Sequence, residues 1–182
     1  MRGLSEEWMG NDIINWPNPE GNGRSPIAAA SGLGHTEIVR LLACLPGVDL
    51  ERLDNNGRSP LMIASSSGFA DVVKALVLQP QGVDFNKADK NGWTPLMMAS
   101  AYGHTEIVGV FVSLPNIELN KADNNGSTPL RTASSNNRTD VVKVLVSLPG
   151  IDINKANKSG STPLQAAENE EIKAILRDKG GK

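Results

Sequence analysis

The sequence predicts an all-α solenoid of stacked helix-turn-helix units joined by β-turn fingers. Three observations carry that reading. First, one phrase recurs five times: Arg24-Ser25-Pro26-Ile27, Arg58-Ser59-Pro60-Leu61, Trp93-Thr94-Pro95-Leu96, Ser127-Thr128-Pro129-Leu130 and Ser161-Thr162-Pro163-Leu164. Its prolines are 34, 35, 34 and 34 residues apart, a period that belongs to stacked repeats. Second, each phrase is followed by an apolar pattern with helical spacing. Third, 39% of the 182 residues are hydrophobic but only 4% are aromatic, so the core is aliphatic.

The third unit, residues 89–122, shows how the elements are specified. Asp89-Lys90-Asn91-Gly92 is a tight-turn tetrad, with Asx and Gly supplying left-handed geometry. Thr94-Pro95 starts a short helix: the hydroxyl caps a free N–H, and proline suits the first helical position. That helix carries Leu96, Met98 and Ala99 and stops at Gly103. A second helix begins near His104-Thr105-Glu106, with an acid in its first turn to complement the helix dipole. Ile107, Val108, Phe111 and Val112 form its apolar face, and Leu114-Pro115 ends it. Ile117-Glu118-Leu119-Asn120 alternates apolar and polar, as an extended return to the next turn.

The same grammar divides the chain into units at 20–53, 54–88, 89–122 and 123–156, with 157–182 as a C-terminal capping repeat. In the last unit only nine residues separate Pro163 from Ile172, which shortens the first helix, and Glu168, Glu170, Glu171, Lys173, Arg177, Asp178 and Lys179 crowd its end. Residues 1–19 form an N-terminal capping segment. Within it, Ser5 to Met9 reads either as a short helix whose Trp8 lids the first repeat or as the remnant of a preceding repeat. Neither helix of a unit buries its apolar face alone, so stability comes mostly from neighbour stacking.

The motif resembles the ankyrin repeat, a β-turn plus two helices with a Thr-Pro-Leu-His opening. The stretches that carry the resemblance include Gly92 to Ala99 and Gly103 to Val108, and it covers about residues 20–176. One departure is general: the opening's histidine is replaced by Ala28, Met62, Met97, Arg131 and Gln165. In the family this histidine braces the turn, so the resemblance implies turns that lack that brace. It also implies that Asn86, Asn120 and Asn154 lie where an asparaginyl hydroxylase acts on such repeats. The plainer reading is that these side chains hold the turn.

Nothing in the chain points to catalysis, a metal or a cofactor. His35 and His104 fill one slot of two repeats, where other copies have Phe69 and Arg138, so they read as helix-start residues. Cys44 is the single cysteine and reads as a partly packed helix residue in a reducing compartment. Gly32-Leu33-Gly34 is a helix terminus rather than a phosphate loop. A formal charge of −2 argues against nucleic acid. Arg52, Lys87, Lys121 and Lys155 alternate with Asp49, Asp84, Glu118 and Asp152 along a solvated mixed edge. No stretch has the length and apolarity of a signal peptide or a membrane span. The expected setting is intracellular, in cytoplasm or nucleus, as a monomer.

A repeat array presents a surface, so positions that vary between copies are the candidates for binding. After the turn glycine these are Arg24, Arg58, Trp93, Ser127 and Ser161; at the first helix's end they are Leu33, Ser67, Tyr102 and Asn136. The lost-histidine slot adds Met62, Met97 and Arg131, with the methionines as an adaptable apolar floor. Trp, Tyr and Arg are enriched at binding hot spots, which singles out Trp93 and Tyr102 in one repeat. The expected function is non-enzymatic binding of a protein or extended peptide on the concave groove. The alternative is a structural spacer or assembly domain of a larger protein.

Overall fold

The structure, a computed structural model, describes residues 13–80 and 82–182; the proposed Trp8 lid lies outside them. Among the described residues there are ten helices and no strand. They are α1 (Pro26–Gly32), α2 (Thr36–Ala43), α3 (Pro60–Ser67), α4 (Ala70–Val77), α5 (Pro95–Tyr102), α6 (Thr105–Val112), α7 (Pro129–Ser135), α8 (Thr139–Val146), α9 (Pro163–Ala166) and α10 (Glu170–Asp178). None is long and apolar enough to cross a membrane.

Each first helix starts as the Ser/Thr-Pro phrase dictates. The hydroxyls of Ser25, Ser59, Thr94, Thr128 and Thr162 accept the backbone N–H three residues on, at 3.2–3.4 Å. Proline stands at the first helical position in all five, where a missing donor costs nothing. Ser31, Ser65, Ser100 and Ser134 are buried, and each hydroxyl donates to the carbonyl four residues back at 2.7–2.8 Å. That bond satisfies a polar group whose burial alone costs energy.

The fingers before these helices are Asx turns. One carboxylate oxygen of Asp54 accepts the N–H groups of Asn56 and Arg58; Asp89 does the same for Asn91 and Trp93, and Asp123 for Asn125 and Ser127. Asn157 repeats the pattern with Ser159 and Ser161. Adjacent fingers are tied through the backbone, from Asn55 N–H to Asn22 O, Asn124 to Asn91, and Lys158 to Asn125. Gly92 is required here: its φ is +83°, and a Cβ would lie 2.7 Å from the Asn124 nitrogen.

Contacts divide the chain into two compact units, residues 1–84 and 85–182. Within the first, α1 packs on α3 and α2 on α4. Within the second, α7 packs between α5 and α9, and α8 between α6 and α10. The core is aliphatic apart from Phe111: Ile27, Leu61, Ile63 and Leu76 are enclosed in one unit, and Leu96, Ile107, Leu130, Leu145 and Ile172 in the other. α9 is clipped to four residues.

The predicted extended return is not a strand. Leu119 and Asn120 form a turn, and asparagine side chains make the link between repeats. The amide of Asn120 donates to Gly150 O at 2.7 Å and accepts from Asp152 N–H at 2.8 Å. Asn86 bridges Asn116 O and Glu118 N–H in the same way, and Asn154 bridges Gly180 O and Lys182 N–H. In the first unit Asn15 does so for Gly47 O and Asp49 N–H. An amide can give and take at once, so one side chain clamps two backbone groups of the next repeat.

Candidate functional surface

In the unit of residues 1–84, Arg24 and Arg58 flank the buried carboxylate of Asp54. The Arg58 guanidinium donates to Asp54 Oδ2 through Nε at 3.0 Å and Nη2 at 2.8 Å. Asn22 Nδ2 reaches the same oxygen at 3.2 Å, and Arg24 Nε stands 3.9 Å from it. Burial pushes the Asp54 pKa up, but the N–H groups of Arg58 and Asn56 and the Arg58 guanidinium outweigh this and hold it below the ordinary value. Leu33 caps the end of α1 and is 65% exposed, and Ser67 is exposed at the end of α3.

In the unit of residues 85–182, Tyr102 ends α5 and is 56% exposed. Its ring stacks on His104, centroids 6.2 Å apart. A shallow recess of about 270 Å³ opens there, lined by Tyr102, Thr105, Asn137, Arg138 and Asp140 among others. Arg138 is anchored by a 2.9 Å bond from Nε to the Ala101 carbonyl. Trp93, half-buried on its finger, does not line this recess, and neither does the exposed Asn136. Arg138 and Asn137 were not among the candidates. The signal for Arg138 was present: it occupies the slot that holds His35, Phe69 and His104 in other copies.

The lost-histidine slot turns inward in the first three repeats. Met62 and Met97 are both 0% exposed, as is Ala28, so the methionines are core and offer no floor to a partner. At two of the five helix starts the substituting residue itself takes over the bracing bond. Met62 Sδ accepts the Ser59 N–H at 3.4 Å, and Gln165 Oε1 accepts that of Thr162 at 3.0 Å. Arg131 braces two fingers: its guanidinium donates to Ser161 O at 3.0 Å, Ser127 Oγ at 3.1 Å and Ser161 Oγ at 3.3 Å.

Three other sequence expectations meet the structure here. His35 and His104 both occupy N-cap positions, but neither side chain makes a capping bond. Cys44 is exposed rather than partly packed. For Asn86, Asn120 and Asn154, the clamps described above engage both ends of each amide. Among the described residues no group of three or more His, Cys, Asp or Glu is placed to hold a metal.

A family model described as ankyrin repeats, three copies, matches residues 6–89, 71–157 and 120–181. No curated protein matches the chain.

Proposed function

The chain belongs to the ankyrin-repeat family, whose arrays are generally protein-protein interaction modules, and from that premise we propose that it binds another protein or an extended peptide without catalysis. The fingers and first-helix ends are the proposed surface. Arg24, Leu33, Arg58 and Ser67 belong to it in one unit, and Trp93, Tyr102 and Asn136, joined by Arg138, in the other. Arg131 acts as a positioning residue by bracing the fingers of Ser127 and Ser161. Asn86, Asn120 and Asn154 serve as clamps between repeats.

The observation that carries the reading is Tyr102. A large aromatic is left 56% exposed beside an anchored arginine, at the edge of an open polar recess. Aromatic and arginine side chains of this kind dominate binding energy when a partner covers them. The test is a paired capture from the native host with the protein and its Tyr102→Ala/Arg138→Ala variant, both checked for equal helicity and Tm. Partners retained by the first and lost by the second support the reading. Equal capture of every partner sinks it and leaves the array as a spacer.

A further inference from the structure

Two guanidiniums share one carboxylate at the fingers of residues 18–24 and 54–58, and that carboxylate is already full. Asp54 Oδ1 takes the N–H groups of Asn56 and Arg58, and Oδ2 takes Arg58 Nε and Nη2 and Asn22 Nδ2. Arg24 is therefore held off at 3.9 Å. Its Nε is buried without a hydrogen-bond partner, a costly condition that calls for a reason. The pair carries two positive charges against one negative.

Neither guanidinium is sealed in. The Arg24 side chain is 32% exposed and that of Arg58 24%, whereas Asp54 is 0%. Arg24 also reaches the end of α1, where the absence of a side chain on Gly32 leaves it room. A Cβ there would lie 3.2 Å from Arg24 Nη1 and 2.9 Å from Ile63 Cγ2. The guanidinium thus spans a finger and a first-helix end, the two elements of the proposed surface. No other finger has this arrangement: Trp93, Ser127 and Ser161 stand in the equivalent slots.

We infer that Arg24 and Arg58 form a receptor for a carboxylate side chain, and that the partner of this unit is an acidic peptide segment. The inference rests on the binding reading above and names the chemistry of the partner. An incoming Asp or Glu supplies the missing counter-charge and accepts from the exposed part of the Arg24 guanidinium. Such charge-assisted bonds are directional and about twice as strong as neutral ones. Asp54 ties Arg58 to the finger and competes with the incoming carboxylate for its guanidinium.

The test is fluorescence anisotropy of labelled octaglutamate and octaglutamine peptides with the full chain at low ionic strength. Octaglutamate binds and octaglutamine does not, and salt weakens the binding. Arg24→Gln weakens octaglutamate by about fivefold or more without changing the Tm, as loss of a rim charge does. Asp54→Asn separates this from a purely structural cluster: it lowers the Tm yet tightens octaglutamate, because a competing carboxylate is gone. Equal binding of both peptides, or an Arg24→Gln variant that binds like the parent, overturns the inference. So does full displacement of octaglutamate by inorganic phosphate at an ionic strength where chloride has no effect. If Arg24→Gln leaves captured native partners bound while Tyr102→Ala/Arg138→Ala releases them, this inference falls and the broader reading stands.

Discussion

At the scale of single residues, polar side chains fasten one repeat to the next beside the apolar stacking. Asn120→Ala removes a donor to Gly150 O and an acceptor for Asp152 N–H, both solvent-accessible. The expected loss is about 1 kcal/mol in urea unfolding, the net value of such bonds. Arg131→Met puts into α7 the residue that α3 and α5 carry in that slot, yet it severs both fingers from the guanidinium. It lowers stability by about 1 kcal/mol as well. Asp54 makes stability depend on acid. Its folded pKa is depressed, so its contribution is fully present above the unfolded value of about 3.9 and is lost as pH falls through the lower folded value. A pH titration of stability shows a decline below about pH 4, and Asp54→Asn, less stable at neutral pH, shows a shallower one.

At the scale of elements, identical slots differ in burial, and that difference is measurable. Ile107, Val72, Val141 and Ile172 occupy one slot of the second helices and are 0–1% exposed. Ile38 holds the same slot in α2 and is 47% exposed, with Leu41 on that helix and Leu45 just beyond it also open. Ile107→Ala costs about 3 kcal/mol, as expected when a buried Ile is truncated, while Ile38→Ala costs below about 1 kcal/mol. Thermal unfolding of the two variants decides this. Element starts were legible in the sequence because Ser/Thr-Pro acts locally, through one hydroxyl and one missing donor. The fate of Met62 and Met97 was not. Every residue of α5 from Pro95 to Ala101 is buried and only Tyr102 at its end is exposed, so its pattern carries no phase to tell inside from outside. The slot was read as accessible because its residue varies between copies. The return segment misled for a related reason: alternation in Ile117 to Asn120 marks a strand only where a backbone partner exists, and here the Asn86 side chain takes that place.

At the scale of the molecule, the repeat period was the most legible feature and the binding surface the least. Periodicity follows from packing that every unit must satisfy alike, so it is written many times over. A partner leaves its mark once; of the residues proposed to carry it, Tyr102 and Arg24 stand out as exceptions between copies, whereas Arg138 lay in a slot read only as a helix start. Stability in such arrays is a sum of unit and neighbour terms. Within residues 85–182, α7 and α8 have neighbours on both sides, whereas α9 packs on α7 and α10 and is only four residues long. Hydrogen exchange is therefore slowest in α7 and α8 and fastest in α9. Comparable protection across all three would show that this unit opens only as a whole.

The asparagine clamps have a consequence for how such an array grows. Asn86, Asn120 and Asn154 follow one another at intervals of 34; the first two reach the backbone 30 and 32 residues ahead, and Asn154, in the shortened last repeat, 26 and 28. A segment running from Asn120 to Ile153 therefore begins with the side chain it needs to grip its own far end, and is followed by one that grips what comes after. Copied in tandem, it arrives with both fastenings in register and no residue to mend. Gene duplication in steps of this length lengthens the array at no cost in joints, whereas a shift of a single residue inside the step leaves an amide facing the wrong atoms.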